Sequence, residues 1–103
     1  MNHKRKELAF DIFYNRYRAA ETYGYILKVV NSCVTCDQIH YAYLWGIEVL
    51  DNLRKKATDY VTRKYESISI WKSTDICFYI IHRVDSMQLD LRHQCNQRDH
   101  EIN

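Results

Sequence analysis

The feature that most constrains the fold is a pair of apolar seams, one on each side of a short break near residue 34. The first seam consists of Phe10, Phe13, Tyr17, Ala20, Gly24 and Leu27. The second consists of Tyr43, Gly46, Leu50, Leu53, Ala57 and Tyr60. The residues of each seam are spaced by three and four positions, which places their side chains on one face of an α-helix. The seams therefore predict two long amphipathic helices.

Folding the chain back at the break places the two seams against each other. Positions whose numbers add up to 70 then face one another, so that Gly24 meets Gly46. These are the only two glycines of the chain. Because glycine has no side chain, two glycines at one position allow the backbones of the helices to approach closely. We therefore expect a close-packed antiparallel hairpin of two long helices.

Local signals set the predicted helix boundaries at 3–31, 36–66 and 74–92, with a polar tail at 93–103 that frays. Thr35 and Gln38 have the spacing of a capping box, which favours a helix start near Cys36. Ser73 or Thr74 is expected to cap the third helix. Its apolar face contains Ile76, Ile80, Val84, Met87 and Leu91.

A β-hairpin over residues 67–81 is the alternative for this region. Residues 67–71 alternate between polar and apolar side chains, and residues 76–81 are rich in strand-forming types. The turn would lack glycine, and the spacing of three and four continues after Ile81, so a helix is favoured.

Composition supports a single all-α domain over residues 1–103, with the third helix packed across the hairpin. The chain has 103 residues, no proline and only two glycines, whereas a β-rich domain of this length needs more turn residues. No apolar run is long enough to cross a membrane and no secretory signal is visible, so we expect a cytoplasmic protein that does not bind membranes.

The segment between Ile39 and Leu50 is apolar on nearly every side of the second helix. A helix of this kind needs cover on every side, and two neighbouring helices leave one face uncovered. A second copy of the chain would cover that face, so we expect a homodimer. The alternative is a monomeric three-helix bundle with a few exposed aromatic residues.

Cys33 and Cys36 form a C-x-x-C motif at the predicted start of the second helix. The motif follows a helix rather than a strand, which argues against a thioredoxin-like redox site. A zinc site would need His40 and a fourth ligand such as His93 or Cys95, and no second paired motif supports one. We therefore expect structural thiols, no metal, no cofactor and no enzymatic activity, since no catalytic or phosphate-binding motif is visible.

The predicted hairpin gathers basic residues where the first helix begins and the second ends. This basic patch consists of Lys4, Arg5, Lys6, Arg54, Lys55, Lys56, Arg63 and Lys64. The net charge of the whole chain is only +2, so the patch is a local feature. A basic surface suits a phosphate-rich partner, which makes a nucleic-acid-binding regulator the alternative function.

Aromatic residues gather near the predicted hairpin turn. Nine tyrosines in 103 residues is a large number, and tyrosine and tryptophan are frequent anchors in protein interfaces. The candidate anchors are Tyr23, Tyr25, Tyr41 and Trp45. They favour a non-enzymatic protein-binding module: a small adaptor, inhibitor or immunity-type factor that acts by occupying a surface. Compact proline-free helical proteins are common among phage and mobile-element products, and we expect such a source.

Overall fold

The protein folds as a helical bundle in the computed structural model, which describes residues 3–65 and 67–102. Its elements are α1 (His3–Phe10), a π-helix (Asp11–Arg16), α2 (Ala19–Ser32), α3 (Cys36–Tyr65) and α4 (Ile70–Ile102). The molecule is a rod of 52 × 22 × 17 Å. The described residues contain no strand. The prediction of an all-α helical bundle is confirmed, and the alternative of a β-hairpin over residues 67–81 is wrong.

Helices α3 and α4 form the most extensive helix pair, and they run antiparallel. The Gln88 amide donates a hydrogen bond to the Ile47 carbonyl at 3.3 Å, and the Cys77 thiol lies 3.7 Å from the Thr58 carbonyl. The second predicted seam faces the core, since Leu50 and Ala57 are fully buried. The main hairpin therefore joins the second and third predicted helices, rather than the first and second.

The N-terminal helices lie beside α4 and run parallel to it. Arg5 forms an ion pair with Asp75 near one end of the rod. At the other end, Arg98 Nη2 donates a hydrogen bond to the Cys33 carbonyl at 2.9 Å. The bundle therefore has an up-down-up arrangement, and the prediction that the third helix lies across a hairpin is not what the structure shows.

The predicted continuous helix over residues 3–31 is interrupted. The Tyr17 amide donates to the Ile12 carbonyl at 3.2 Å, which is a bond of the π type. Arg18 then adopts the left-handed conformation, with φ 55° and ψ 44°, before α2 begins. Residues 12–15 and Tyr17 are β-branched, aromatic or asparagine, and such residues form α-helix less readily than alanine or leucine. The sequence at the interruption therefore favours a continuous helix only weakly.

The two glycines do not pack against each other, so that prediction is wrong. Gly24 is exposed, and a Cβ atom built on it would meet nothing within 4 Å. Gly46 is buried beneath the side chains of Ile26 and Leu91. The N-terminal helices contact both α3 and α4, so the centre of their buried face is rotated by one residue from the predicted seam. Ala9, Ala19 and Ile26 are therefore buried in place of Phe10, Ala20 and Leu27, and Ile26 rather than Gly24 lies over Gly46.

Both ends of α4 differ from the prediction. The Ser69 hydroxyl accepts a hydrogen bond from the Lys72 amide at 3.3 Å, so the cap precedes Ser73, which is buried inside the helix. At the other end, α4 continues to Ile102 because Leu91 and Cys95 are buried in the core. The prediction that the tail frays is therefore wrong for residues 93–102. Position 103 lies outside the described residues.

The start of α3 is confirmed at Cys36, and so is its capping box. The Gln38 amide donates to the Thr35 hydroxyl at 3.2 Å, and the Gln38 side chain accepts from the Thr35 amide at 3.3 Å. Position 66, the predicted end of this helix, lies outside the described residues, which follow α3 to Tyr65.

Candidate functional site

The most prominent exposed apolar surface of α2 and α3 is a group of four side chains, which we call the aromatic patch. It consists of Tyr25, Tyr41, Leu44 and Trp45. Tyr41 is 71% exposed and Tyr25 is 61% exposed. Tyr41, Leu44 and Trp45 are spaced by three and one along α3, so they lie on one side of that helix. The patch therefore presents a continuous area of aromatic and aliphatic side chains to solvent.

Close packing of α2 on α3 holds the patch together. Ile26 lies over Gly46, with its Cγ2 atom 2.9 Å from the position that a Cβ atom would occupy there. This close approach brings the preceding residue of α2, Tyr25, beside Trp45. Their ring centroids are 6.0 Å apart, and the ring planes are inclined by 75°. An edge-to-face pair of this kind contributes about 0.5–1.5 kcal/mol beyond the apolar area that it buries.

Tyr23 does not join the other three predicted anchors. It lies on the side of α2 that faces α4, where its hydroxyl donates a hydrogen bond to the Asp90 carboxylate. Burial and the nearby Asp90 carboxylate raise the pKa of Tyr23. The structure therefore brings Tyr25 and Trp45 together and places Tyr23 between two helices. Leu44 of the aromatic patch was not among the predicted residues, because no signal in its sequence separates an exposed leucine from a buried one.

The predicted basic patch is divided between two grooves at the end of the rod where α1 begins. Lys4 and Arg5 line one groove together with Lys72. Lys56 and Arg63 line a second groove, beside the rings of Tyr17 and Tyr60. The remaining four members line neither groove. Lys6, Lys55 and Lys64 are exposed. Arg54 is half-buried, and its Nη2 atom lies 3.8 Å from Asp51 Oδ1.

A series of cations and tyrosine rings connects the two grooves. Arg16 lies 4.1 Å from the ring centroid of Tyr60, and Lys64 lies 5.4 Å from the same centroid. Lys64 also lies 5.6 Å from the Tyr65 ring, and Lys72 approaches that ring to 5.2 Å. We call these five residues the cation–tyrosine series. Their contacts are within the distance at which a cation is attracted to an aromatic face.

The hydrogen bond between Lys64 and Tyr60 influences the charge of the series. Lys64 Nζ donates to the Tyr60 hydroxyl at 3.0 Å, which lowers the pKa of Tyr60 and raises that of Lys64. The positive charge of Lys64 is therefore stabilised. Lys72 was missed in the sequence because it was assigned to the break before the third helix, and only the earlier start of α4 places it here.

The cysteines form no disulfide within the described residues. Cys33 and Cys95 are buried, and the Cys33 thiol donates to the Val29 carbonyl at 3.3 Å. Burial raises the pKa of Cys95 to about 11. In the same part of the chain, no group of three or more His, Cys, Asp or Glu residues is arranged to hold a metal ion.

Comparison of the chain with models of protein families, with curated proteins and with solved structures gives no match. Among the described helices, none has a stretch that is long and apolar enough to span a bilayer.

Proposed function

We propose that this chain is a non-enzymatic protein-binding module, a small adaptor, inhibitor or immunity-type factor, that acts by occupying a surface of its partner with the aromatic patch. The observation that carries the proposal is the Tyr25–Trp45 ring pair beside Tyr41, which is 71% exposed. Clustered exposed aromatic residues on a folded domain are typical of protein interfaces.

The geometry of the patch favours binding by a preformed surface. Tyrosine and tryptophan have two rotatable side-chain bonds each, so little conformational entropy is lost when they become fixed in an interface. Trp45 already packs against Tyr25, and the α2–α3 packing over Gly46 fixes the relative position of the two helices. Pre-organisation of this kind increases affinity because the cost of ordering is smaller.

A homodimer is one way in which the patch would be occupied, and we propose it as the self-association state of the chain. The exposed face of α3 contains Tyr41, Leu44 and Trp45, which belong to the apolar segment for which the sequence predicts cover by a second copy. Light scattering distinguishes the cases. A dimer that dissociates on Trp45→Ala assigns the patch to self-association, whereas a strict monomer contradicts the dimer and leaves the patch for a different protein.

Affinity capture from the native host tests protein binding. The Tyr41→Ala and Trp45→Ala variants should each lose a partner that the wild-type chain retains, and high salt should leave the complex intact, because apolar burial is insensitive to screening. Trp71→Ala is the matched control, since Trp71 is 75% exposed and lies at the start of α4, away from the patch. Equal capture by Trp45→Ala and Trp71→Ala would contradict the proposal.

The second candidate function is nucleic-acid binding, and the cation–tyrosine series favours it. Lysine and arginine side chains neutralise phosphates, and binding that depends on them weakens steeply with salt. The double variant Lys56→Glu and Lys64→Glu should abolish duplex binding, whereas Lys28→Glu, on α2, should not. Measurement of duplex affinity by fluorescence anisotropy at several salt concentrations checks this, and absence of binding at low salt would exclude it.

A further inference from the structure

A cleft of about 310 Å³ lies between the N-terminal helices and α4. Its floor is apolar and closed, because Ala9, Phe13 and Ile80 are all buried. Phe10 and Tyr14 form one wall, with stacked rings whose centroids are 4.5 Å apart. The volume lies at the lower end of the range for small-molecule sites, roughly 300–1,000 Å³. The cleft is therefore large enough for a small ligand with an apolar body.

The rim of the cleft is positively charged. Lys6 lies on the α1 side and Arg83 on the α4 side, and no aspartate or glutamate is among the described residues that line the cleft. Arg83 Nε donates a hydrogen bond to the Tyr14 hydroxyl at 2.8 Å, and its guanidinium carbon lies 5.4 Å from the Tyr14 ring centroid. This contact fixes the guanidinium at the entrance of the cleft.

The π-helix contributes to the shape of the cleft. Phe13 and Tyr14 both belong to it, and both line the cleft although they are consecutive in sequence. A π-helical turn contains more residues than an α-helical turn, so successive side chains diverge less in direction. Phe13 therefore forms part of the floor while Tyr14 forms the adjoining wall and holds Arg83.

We propose that this cleft is a binding site for a small amphipathic carboxylate, with its apolar chain on the Phe13 floor and its carboxylate at Arg83 and Lys6. An apolar interior with two cations, and with no acid among the described residues of its rim, matches an amphipathic anion in both shape and charge. The site is separate from the aromatic patch, so its occupancy does not depend on the proposed function.

Calorimetric titration with decanoate tests the site. Decanoate should bind the wild-type chain at one site, and decyltrimethylammonium, which has the same chain and the opposite charge, should not. Arg83→Gln and Lys6→Gln should each weaken decanoate binding by about tenfold, because each removes a charged partner of the carboxylate. Arg92→Gln is the matched control, since Arg92 is exposed on α4 and does not line the cleft.

Amide chemical shifts provide an independent measurement. Decanoate should shift the signals of residues 9–14 and 79–83, and circular dichroism should show unchanged helix content in every variant. Shifts confined to other residues would overturn the proposal. The same holds if the ammonium compound binds as tightly as decanoate, or if Arg83→Gln and Arg92→Gln weaken decanoate binding equally.

Discussion

At the scale of single residues, burial determines how the cysteine thiols behave. Cys95 is 5% exposed in the core between α4 and the end of α2, and burial raises its pKa to about 11. The thiolate is the reactive form of cysteine, and it is disfavoured in such surroundings. Cys36 and Cys77 are half-buried, so reagents reach them more readily. The four thiols should therefore differ in reactivity.

We predict that iodoacetamide at pH 8 modifies Cys77 faster than Cys95, as measured by peptide mass spectrometry over time. In urea all four thiols should react at similar rates, which serves as the control. Equal rates in the folded protein would show that Cys95 is not enclosed.

The same pKa shift predicts a pH dependence of stability. The folded-state pKa of Cys95, about 11, lies above the ordinary value of 9.0, so the unfolded chain loses this proton first as pH rises. The contribution of Cys95 is fully present below pH 9 and falls as pH rises through 11. Urea unfolding between pH 8 and pH 11 should therefore show a smaller loss of stability for Cys95→Ala than for the wild type, and an identical loss would contradict this assignment.

The two glycines predict opposite effects of one substitution. Gly24→Ala should raise the free energy of unfolding by about 0.5–1 kcal/mol, because alanine favours helix and the space beside Gly24 is open. Gly46→Ala should lower it by about 1 kcal/mol or more, since the new methyl group would lie 2.8 Å from Leu91 Cδ2 and 2.9 Å from Ile26 Cγ2. Urea unfolding of both variants checks this, and stabilisation by Gly46→Ala would show that the core yields there.

At the scale of elements, residue spacing identifies the buried face of a helix correctly when one neighbouring helix covers most of that face. The α3 seam through Leu50 and Ala57 and the capping box at Thr35 follow directly from residue spacing and side-chain chemistry. The interruption before α2 could not be predicted, because no proline or glycine marks it. The aromatic patch was predicted only in part. Tyr41 and Trp45 belong to the regular helix α3, where residue spacing places them on one side. The direction of Tyr23 depends on the rotation of α2, which residue spacing does not specify.

The left-handed conformation of Arg18 offers a test of that interruption. A side chain in this conformation costs about 1–2 kcal/mol, which glycine avoids. Arg18→Gly should therefore stabilise the protein by about 1 kcal/mol in urea unfolding. The ion pair of Arg18 with Glu21 is exposed, so its loss costs little. Arg18→Ala is the control, because it removes the same ion pair and retains the strain; equal stability of the alanine and glycine variants would argue against the left-handed turn.

At the scale of the whole molecule, the cleft and the basic grooves depend on which helices are neighbours. Arg83 meets Tyr14 because the N-terminal helices run parallel to α4, and Lys72 meets Tyr65 because a short turn joins α3 to α4. Residue spacing defines the faces of separate helices, but it does not specify how three helices are arranged. The cleft therefore had no signal in the sequence, whereas the gathering of Lys56 and Arg63 near one end follows from their shared position on α3.

The C-terminal turns of α4 give the last prediction, at this largest scale. The polar character of residues 93–103 predicts a frayed tail, yet Cys95 is buried, Ile102 packs against the core, and Arg98 donates to the Cys33 carbonyl across the bundle. Removal of residues 93–103 should therefore lower the free energy of unfolding by about 2 kcal/mol or more, since it exposes apolar surface of α2 and α3.

The control is a full-length chain with His93, Asn96 and Gln97 replaced by alanine, because these exposed side chains make no contribution to the core. Urea midpoints measure both, and an unchanged midpoint for the truncated chain would mean that the tail is frayed in solution and that the bundle ends near Arg92.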